Sequence, residues 1–156
     1  MTNKELKKLF EENLNKDGYY FSEWIELGVC TKEEKDLFII WLNQLSEEKI
    51  CHYLEKDFTI LSVIKNQTDS MCKTSIKKTF LGIQHINVQN KNICNFIVKK
   101  NHHWFEFVKE QTVDLCILAL ELNKSCYTFV RIVPNPDYET TLKNLLEKKA
   151  ILEALK

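Results

Sequence analysis

The segment His102-His103-Trp104-Phe105-Glu106 brings together side chains that are suited to metal binding or proton transfer. On an α-helix, His102 and Glu106 would lie about one turn apart and could share one metal ion. On a β-strand they would face the same side but lie about 13 Å apart, at about 3.3 Å per residue. The apolar residues through Val108 favour a strand. We therefore predict no metal site here, with histidines at the rim of a sheet and a binding or acid–base role as the alternative.

Six cysteines are the other potential nucleophiles of the chain, and none forms a C-x-x-C pair. Cys51 and His52 are neighbours, but adjacent side chains on a helix point about 100° apart and cannot form a thiolate–imidazole couple. The N-terminal residues lack the apolar core of a signal peptide, which predicts a reducing compartment and free, buried thiols. The first five cysteines are separated by 21, 21, 22 and 22 residues. No matching repeat is evident in the flanking residues, so we interpret this regularity as coincidence.

Phosphate-binding and nucleophile motifs are missing from the sequence. The chain has three glycines, at positions 18, 28 and 82, and none of the patterns G-x-x-x-x-G-K-S/T, G-x-G-x-x-G or G-x-S-x-G. A phosphate cradle built from glycines is thereby excluded. The carboxylates of residues 1–57 lie among lysines on predicted helices and are interpreted as solvated faces. We therefore predict no catalytic residue, no metal and no cofactor.

Charge is distributed unevenly along a chain whose formal net charge is zero. Residues 1–72 contain nine Lys and fourteen Asp or Glu, whereas residues 73–109 contain seven Lys and one Glu. Lysines interleaved with aromatic residues suit an acidic protein partner or a nucleic-acid backbone. Alternatively, they protect sheet edges and complement the acidic half of the same molecule. The partner-binding residues predicted in this stretch are Lys77, Lys78, Lys91, Lys99, Lys100 and Trp104.

A second group of candidate partner-binding residues lies near the N-terminus. Tyr19, Tyr20 and Trp24 stand beside Glu23 and Glu26. Tyrosine and tryptophan are common anchors of protein interfaces. We predict that these three aromatic side chains are exposed and contact a partner.

The length of 156 residues is that of one ordinary domain. Hydrophobic residues make up 44% of the chain, which is sufficient for a core of its own. No apolar run approaches the ~20 residues that span a bilayer. We predict one cytosolic domain over residues 1–156, with no membrane association. It would divide at most into a helical subdomain, 1–66, and a subdomain of sheet plus helices, 74–156.

The elements that must position these residues are predicted as helices at both ends of the chain. Apolar residues recur at helical spacing over residues 3–16. Thr31 and Glu34 match a capping box ahead of a second helix, and Ser46 precedes a third. The sequence Asn135-Pro136-Asp137 predicts the start of a final helix that ends at about Leu155.

The middle of the chain predicts strands instead. Four segments have the length of a strand and are rich in Ile, Val, Phe, Tyr or Trp, namely 79–88, 92–100, 102–108 and 126–133. Short connections pair neighbouring strands antiparallel. We therefore predict an α+β fold with a helical N-terminal half, a mostly antiparallel sheet of about four strands and a C-terminal helix. Residues 58–64 fit a strand or a helix, and residues 112–122 are predicted as a helix because Thr112 can cap them.

Three functions are consistent with this sequence. The preferred hypothesis is a non-catalytic protein-binding protein of the inhibitor, immunity or regulatory type, which docks its partner through complementary charge and aromatic anchors. The second is an enzyme whose site is assembled from scattered His, Cys and carboxylate groups, with His85 and His103 as candidates. The third is a nucleic-acid binder on the basic sheet. Size, charge segregation and the absence of motifs favour the first.

Overall fold

A computed structural model describes residues 3–16 and 20–156. Over these residues the chain forms seven α-helices and five 3-10 helices. The α-helices are Asn3–Leu14 (α1), Lys32–Leu42 (α2), Glu47–Leu54 (α3), Asp69–Ser75 (α4), Lys91–Lys100 (α5), Val113–Leu122 (α6) and Tyr138–Ala154 (α7). The 3-10 helices are Phe21–Glu23 (η1), Phe58–Val63 (η2), Phe80–His85 (η3), His102–Phe107 (η4) and Lys124–Phe129 (η5). No helix in the described ranges is both long and apolar enough to cross a membrane.

The predicted α+β fold with an antiparallel sheet is wrong. The structure is 67% helical, and the described residues contain no β-strand. The four segments predicted as strands correspond to η3, α5, η4 and η5. The three 3-10 helices among these segments are each followed by a buried residue with extended backbone, namely Ile86, Val108 and Val130. Short runs of β-branched and aromatic residues do not distinguish a strand from a helical turn, which explains the error.

Several predicted helix starts are confirmed. Thr31 and Glu34 form both bonds of a capping box at the start of α2. Residues 112–122 are the helix α6, and the Thr112 hydroxyl accepts a hydrogen bond from the backbone N–H of Leu115. The final helix begins later than expected, because Asp137 rather than Asn135 is its cap. Residues 58–64, whose sequence fits a strand or a helix equally well, contain η2.

Contacts between residues divide the chain into two compact units, 1–87 and 88–156. The first unit contains α1–α4 and η1–η3, and its core is dominated by aromatic rings such as those of Phe10, Trp24 and Phe38. The second unit contains α5–α7, η4 and η5, with Phe105 and aliphatic side chains in its core. The prediction of one domain over 1–156 stays a prediction.

A 22-residue repeat organises most of both units. The helices η2, η3, η4 and η5 begin at residues 58, 80, 102 and 124, which is a constant interval of 22. Each is preceded by a polar residue whose side chain accepts a hydrogen bond from the backbone N–H two residues later, namely Asp57, Thr79, Asn101 and Asn123. The helices α4, α5 and α6 have caps with the same interval, at Thr68, Asn90 and Thr112. Cys72, Cys94 and Cys116 occupy one position of this repeat, so the interpretation of their spacing as coincidence is wrong.

Glutamine side chains connect consecutive copies of the repeat within each unit. In the first unit, the Gln67 Oε1 atom accepts from the backbone N–H of Asn87 at 2.8 Å, and Nε2 donates to the carbonyl oxygen of His85 at 2.9 Å. In the second unit, Gln89 forms the same two bonds with the carbonyl oxygen of Phe107 and the N–H of Lys109. Gln111 forms them with the carbonyl oxygen of Phe129 and the N–H of Arg131. We call these three residues the glutamine clamps. Each clamp forms hydrogen bonds with a backbone carbonyl oxygen and a backbone N–H that have no partner within a helix. It thereby fixes the position of the next copy.

Candidate anion-binding pocket

A cavity of about 480 Å³ lies in the first unit, where several helices end. Its lining contains four lysines and two aromatic side chains, together with two carboxylates and the hydroxyl groups of a serine and two threonines. The lysines are Lys16, Lys56, Lys77 and Lys78, and the aromatic residues are Tyr20 and Phe58. We call this cavity the lysine pocket.

The ends of three helices place the lysines around the cavity. Lys16, Lys56 and Lys77 each lie two residues beyond the last residue of an α-helix, α1, α3 and α4 respectively. A cation is favourable at this place because the C-terminus of a helix carries partial negative charge. The helix ends therefore explain why lysine is found at these positions, and the convergence of three ends explains why the lysines share one cavity.

Most of the lysine ammonium groups are bound to neutral oxygen atoms. Lys16 Nζ donates to the Asn13 side-chain oxygen at 3.3 Å, and Lys56 Nζ donates to the Asn15 side-chain oxygen. Lys78 Nζ donates to the backbone carbonyl oxygen of Glu55 at 3.3 Å. Lys77 differs from these three because its Nζ atom forms an ion pair, at 3.3 Å, with the Glu55 carboxylate. The pocket therefore keeps an excess of positive charge.

Asp57 is the second carboxylate of the lining, and its side chain is buried. It accepts hydrogen bonds from the backbone N–H of Phe21 and from the N–H and hydroxyl of Thr59. Burial raises the pKa of Asp57, while these hydrogen bonds act in the opposite direction. Burial likewise lowers the pKa of His85, and the charge of Asp57 partly counters that shift. Since Asp57 joins η1 to η2, it fixes the two segments that carry the aromatic residues of the pocket.

Tyr20 and Phe58 form an aromatic wall on one side of the lysine pocket. Their ring centroids lie 5.6 Å apart with an angle of 56° between the planes. Tyr20 remains 40% exposed, so its ring is available to a bound molecule. The pocket thus combines positive charge with an accessible apolar surface.

The structure brings three of the sequence-predicted residues together in this pocket: Tyr20, Lys77 and Lys78. Trp24 is different, because its side chain has no exposed surface and packs against Phe21 and Phe38. The prediction that Trp24 is an exposed anchor is therefore wrong, and the tryptophan belongs to the core. Tyr19 lies outside the described residues.

The remaining predicted residues belong to the second unit. Lys99 and Lys100 lie exposed in the last turn of α5, and no described carboxylate is within 4.0 Å of either ammonium group. Lys91 begins α5 and contributes to lowering the pKa of Asp114, after the larger effect of Lys149. Trp104 is half-buried in η4. Their role in binding a partner stays a prediction.

Sequence reasoning missed Lys16, Lys56 and Phe58. The signal for the lysines was present, because a lysine soon after a predicted helix end is expected to lie near that end. The sequence does not indicate that the ends of α1, α3 and α4 meet at one cavity. For Phe58, the segment that carries it had no certain secondary structure.

The histidines and cysteines form no metal-binding cluster in the described part of the chain. His102 and His103 lie in η4 rather than on a strand, with ring centroids 4.3 Å apart. The Nε2 atom of His102 is 2.9 Å from the side-chain nitrogen Nδ2 of Asn123. No set of three or more His, Cys, Asp or Glu among the described residues is arranged to hold a metal ion. Burial raises the pKa of Cys72 to about 11 and that of Cys116 to about 12, so both are thiols at neutral pH.

No family model matches this chain, and comparison with curated proteins and with solved structures finds no similar protein.

Proposed function

We propose that this protein is a non-catalytic binding protein, whose lysine pocket docks an acidic segment of a partner protein. The observation that carries the proposal is the convergence of four lysines and an accessible aromatic wall on one cavity of about 480 Å³. Complementary charge steers such an association and fixes its register. Five of the six cysteines are buried and all six are free, which fits a reducing compartment, so we infer that the partner is cytosolic.

A protein partner is favoured over a nucleic acid by the type of cation in the pocket. Arginine is the usual residue for bidentate phosphate and base recognition, whereas lysine acts as a point charge. Arg131 is the single arginine of the chain, and its guanidinium donates to the backbone carbonyl oxygens of Glu106 and Val108. It is therefore occupied within the second unit.

An enzymatic function has weaker support. The described residues that line the lysine pocket include no His and no Cys. The carboxylate of Asp57 is fully engaged by hydrogen bonds. The lining therefore offers no imidazole or thiol to act as general base or nucleophile, and its Asp57 carboxylate is committed to joining η1 and η2.

The test compares two pairs of lysines that occupy the same positions of the repeat. Lys77 and Lys78 line the pocket, whereas Lys99 and Lys100 stand 22 residues later in the second unit. Binding of a fluorescent hexaglutamate peptide is measured by anisotropy at two salt concentrations for wild type, K77E/K78E and K99E/K100E. We expect K77E/K78E to weaken binding by about tenfold or more and K99E/K100E by about twofold, because only the first pair contacts the peptide.

Both variants change the net charge equally, so a general charge effect would lower both affinities alike. Equal losses would overturn the pocket as the binding site and favour a wider lysine surface. Absence of salt-sensitive binding by the wild type would overturn the proposal as a whole, as would stronger, pocket-dependent binding of a single-stranded DNA of equal charge. Circular dichroism shows whether each variant is folded, and Lys78→Met serves as a milder variant should K77E/K78E unfold.

A further inference from the structure

The lysine pocket already contains a carboxylate of its own. The Glu55 side chain is ion-paired with Lys77 at 3.3 Å, and the Glu55 backbone oxygen accepts from Lys78 at 3.3 Å. From this arrangement we propose that the pocket selects a phosphate monoester, carried by a phosphorylated side chain of the partner protein, over a carboxylate. The inference rests on the proposed function and specifies its ligand.

The charge of the lining matches a doubly charged group. Four lysines and the carboxylates of Glu55 and Asp57 give the described lining a formal charge of +2. A phosphate monoester carries about −1.5 to −2 at neutral pH, whereas a glutamate side chain carries −1. A phosphate group therefore neutralises the pocket with a single side chain.

Glu55 competes with the ligand for the ammonium group of Lys77. A partner carboxylate that binds Lys77 replaces one monoanion by another and gains little. A phosphate group brings more charge and three acceptor oxygens, so it can bind Lys77 and the neighbouring lysines together. The Lys77 and Glu55 side chains are 62% and 50% exposed, and exposed ion pairs are weak. The internal pair is therefore displaced readily by a dianion.

The aromatic wall indicates which phosphorylated side chain is a suitable probe. Tyr20 and Phe58 line the same cavity as the lysines, and the Tyr20 ring is partly exposed. Aromatic rings favour stacked or edge-on contacts with one another. Phosphotyrosine presents both the dianion and a ring, so a phosphotyrosine peptide is the probe.

The experiment uses one peptide with phosphotyrosine, glutamate or tyrosine at a central position, and the proteins wild type, Glu55→Gln and Glu48→Gln. Glu48 lies in α3, the helix that ends immediately before Glu55, and does not line the pocket. For wild type we expect the phosphotyrosine peptide to bind about tenfold more tightly than the glutamate peptide. In Glu55→Gln this ratio should fall to about threefold, because Lys77 is then free for a monoanion. Glu48→Gln should leave the ratio unchanged.

The pH dependence gives a second readout. The second pKa of a phosphate monoester is about 6, so lowering the pH from 7.5 to 5.5 should weaken the phosphotyrosine peptide and spare the glutamate peptide. Inorganic phosphate and phosphatidic-acid vesicles are added as competitors. Displacement by either at a phosphate concentration equal to that of the peptide would overturn a protein segment as the source of the phosphate.

The outcomes separate this inference from the proposed function. If both anionic peptides bind equally and K77E/K78E abolishes both, the docking function stands and the selectivity is overturned. An unchanged ratio in Glu55→Gln overturns the role of Glu55. If neither anionic peptide binds more tightly than the tyrosine peptide, the proposed function itself fails.

Discussion

The two units contain the same repeat but use it in different surroundings. In the first unit, the repeat meets α1, η1 and α2, which do not share its pattern, and the repeat lysines Lys77 and Lys78 line a pocket with Lys16 and Lys56. The second unit consists of repeat elements followed by α7, and the equivalent lysines lie exposed at the end of α5. The difference teaches that the repeat supplies a scaffold. A candidate site arises where non-repeat elements add their own side chains.

The largest effect that would test this comparison is expected at Gly82. A Cβ atom at this position would lie 2.5 Å from the Ser75 backbone oxygen, because η3 passes closely over the end of α4. Backbone atoms cannot move aside as a flexible side chain could, so Gly82→Ala should lower the free energy of unfolding by about 3 kcal/mol. Urea denaturation followed by circular dichroism measures the change.

The matched control is Cys126, which has the same position of the repeat in the second unit. Its side chain is fully buried, so that position has room for a side chain. Cys126→Ala should lower the free energy of unfolding by about 1 kcal/mol through loss of packing. If both substitutions have equal effects, the close approach at Gly82 is not what distinguishes the two copies.

A smaller effect is expected from removal of a glutamine clamp. Gln111 binds the carbonyl oxygen of Phe129 and the backbone N–H of Arg131, each at 2.8 Å. Gln111→Met keeps the volume but leaves both backbone groups to water, which should lower the free energy of unfolding by about 2 kcal/mol. Val133 stands at the next equivalent position. We expect Val133→Gln not to raise the free energy of unfolding. A rise comparable to the loss in Gln111→Met would contradict the proposed role of the glutamine clamps.

The helices at both ends of the chain could be predicted from the sequence, but the repeat could not. Helical spacing and the capping box at Thr31 gave α1 and α2 because these signals are local. The repeat depends on caps and clamps such as Thr79, Asn101 and Gln89, and only some of its apolar positions are kept in every copy. Position 82 is Gly where the equivalent positions hold Ile, Trp and Cys. Because such positions differ in residue type between copies, the period is most evident in the sequence from the spacing of Cys72, Cys94 and Cys116.

The candidate site could be predicted in part. The concentration of lysine pointed to Lys77 and Lys78, and aromatic content pointed to Tyr20. Trp24 was misplaced, because interface anchors and core residues share the same chemistry and differ only in packing. Glu55 was interpreted as part of a solvated helix face, since the role of a carboxylate depends on which lysine lies beside it.

The smallest of the predicted changes in stability concerns Asp57, whose cap position is Asn in two other copies. Asn101 and Asn123 each accept from the N–H two residues later, so Asp57→Asn should keep the cap to Thr59. The bond to the Phe21 N–H, which uses the other carboxylate oxygen, is lost. The net loss should be about 1 kcal/mol, since removal of a buried charge offsets part of the lost bond. Asn101→Asp is the control, because its cap bond to the N–H of His103 uses the side-chain oxygen, and it should change the free energy of unfolding by less than about 0.5 kcal/mol.

The pH dependence of this substitution has a definite sign. Because burial raises the pKa of Asp57, the protonated form is favoured in the folded state. Its contribution to stability is fully present below the ordinary pKa of 3.8 and is lost as the pH rises through the raised value. The advantage of wild type over Asp57→Asn should therefore be larger at pH 4 than at pH 7. The comparison is repeated in a His85→Gln background, because His85 interacts with Asp57, and an advantage that shrinks at pH 4 in both backgrounds would contradict a buried carboxylate.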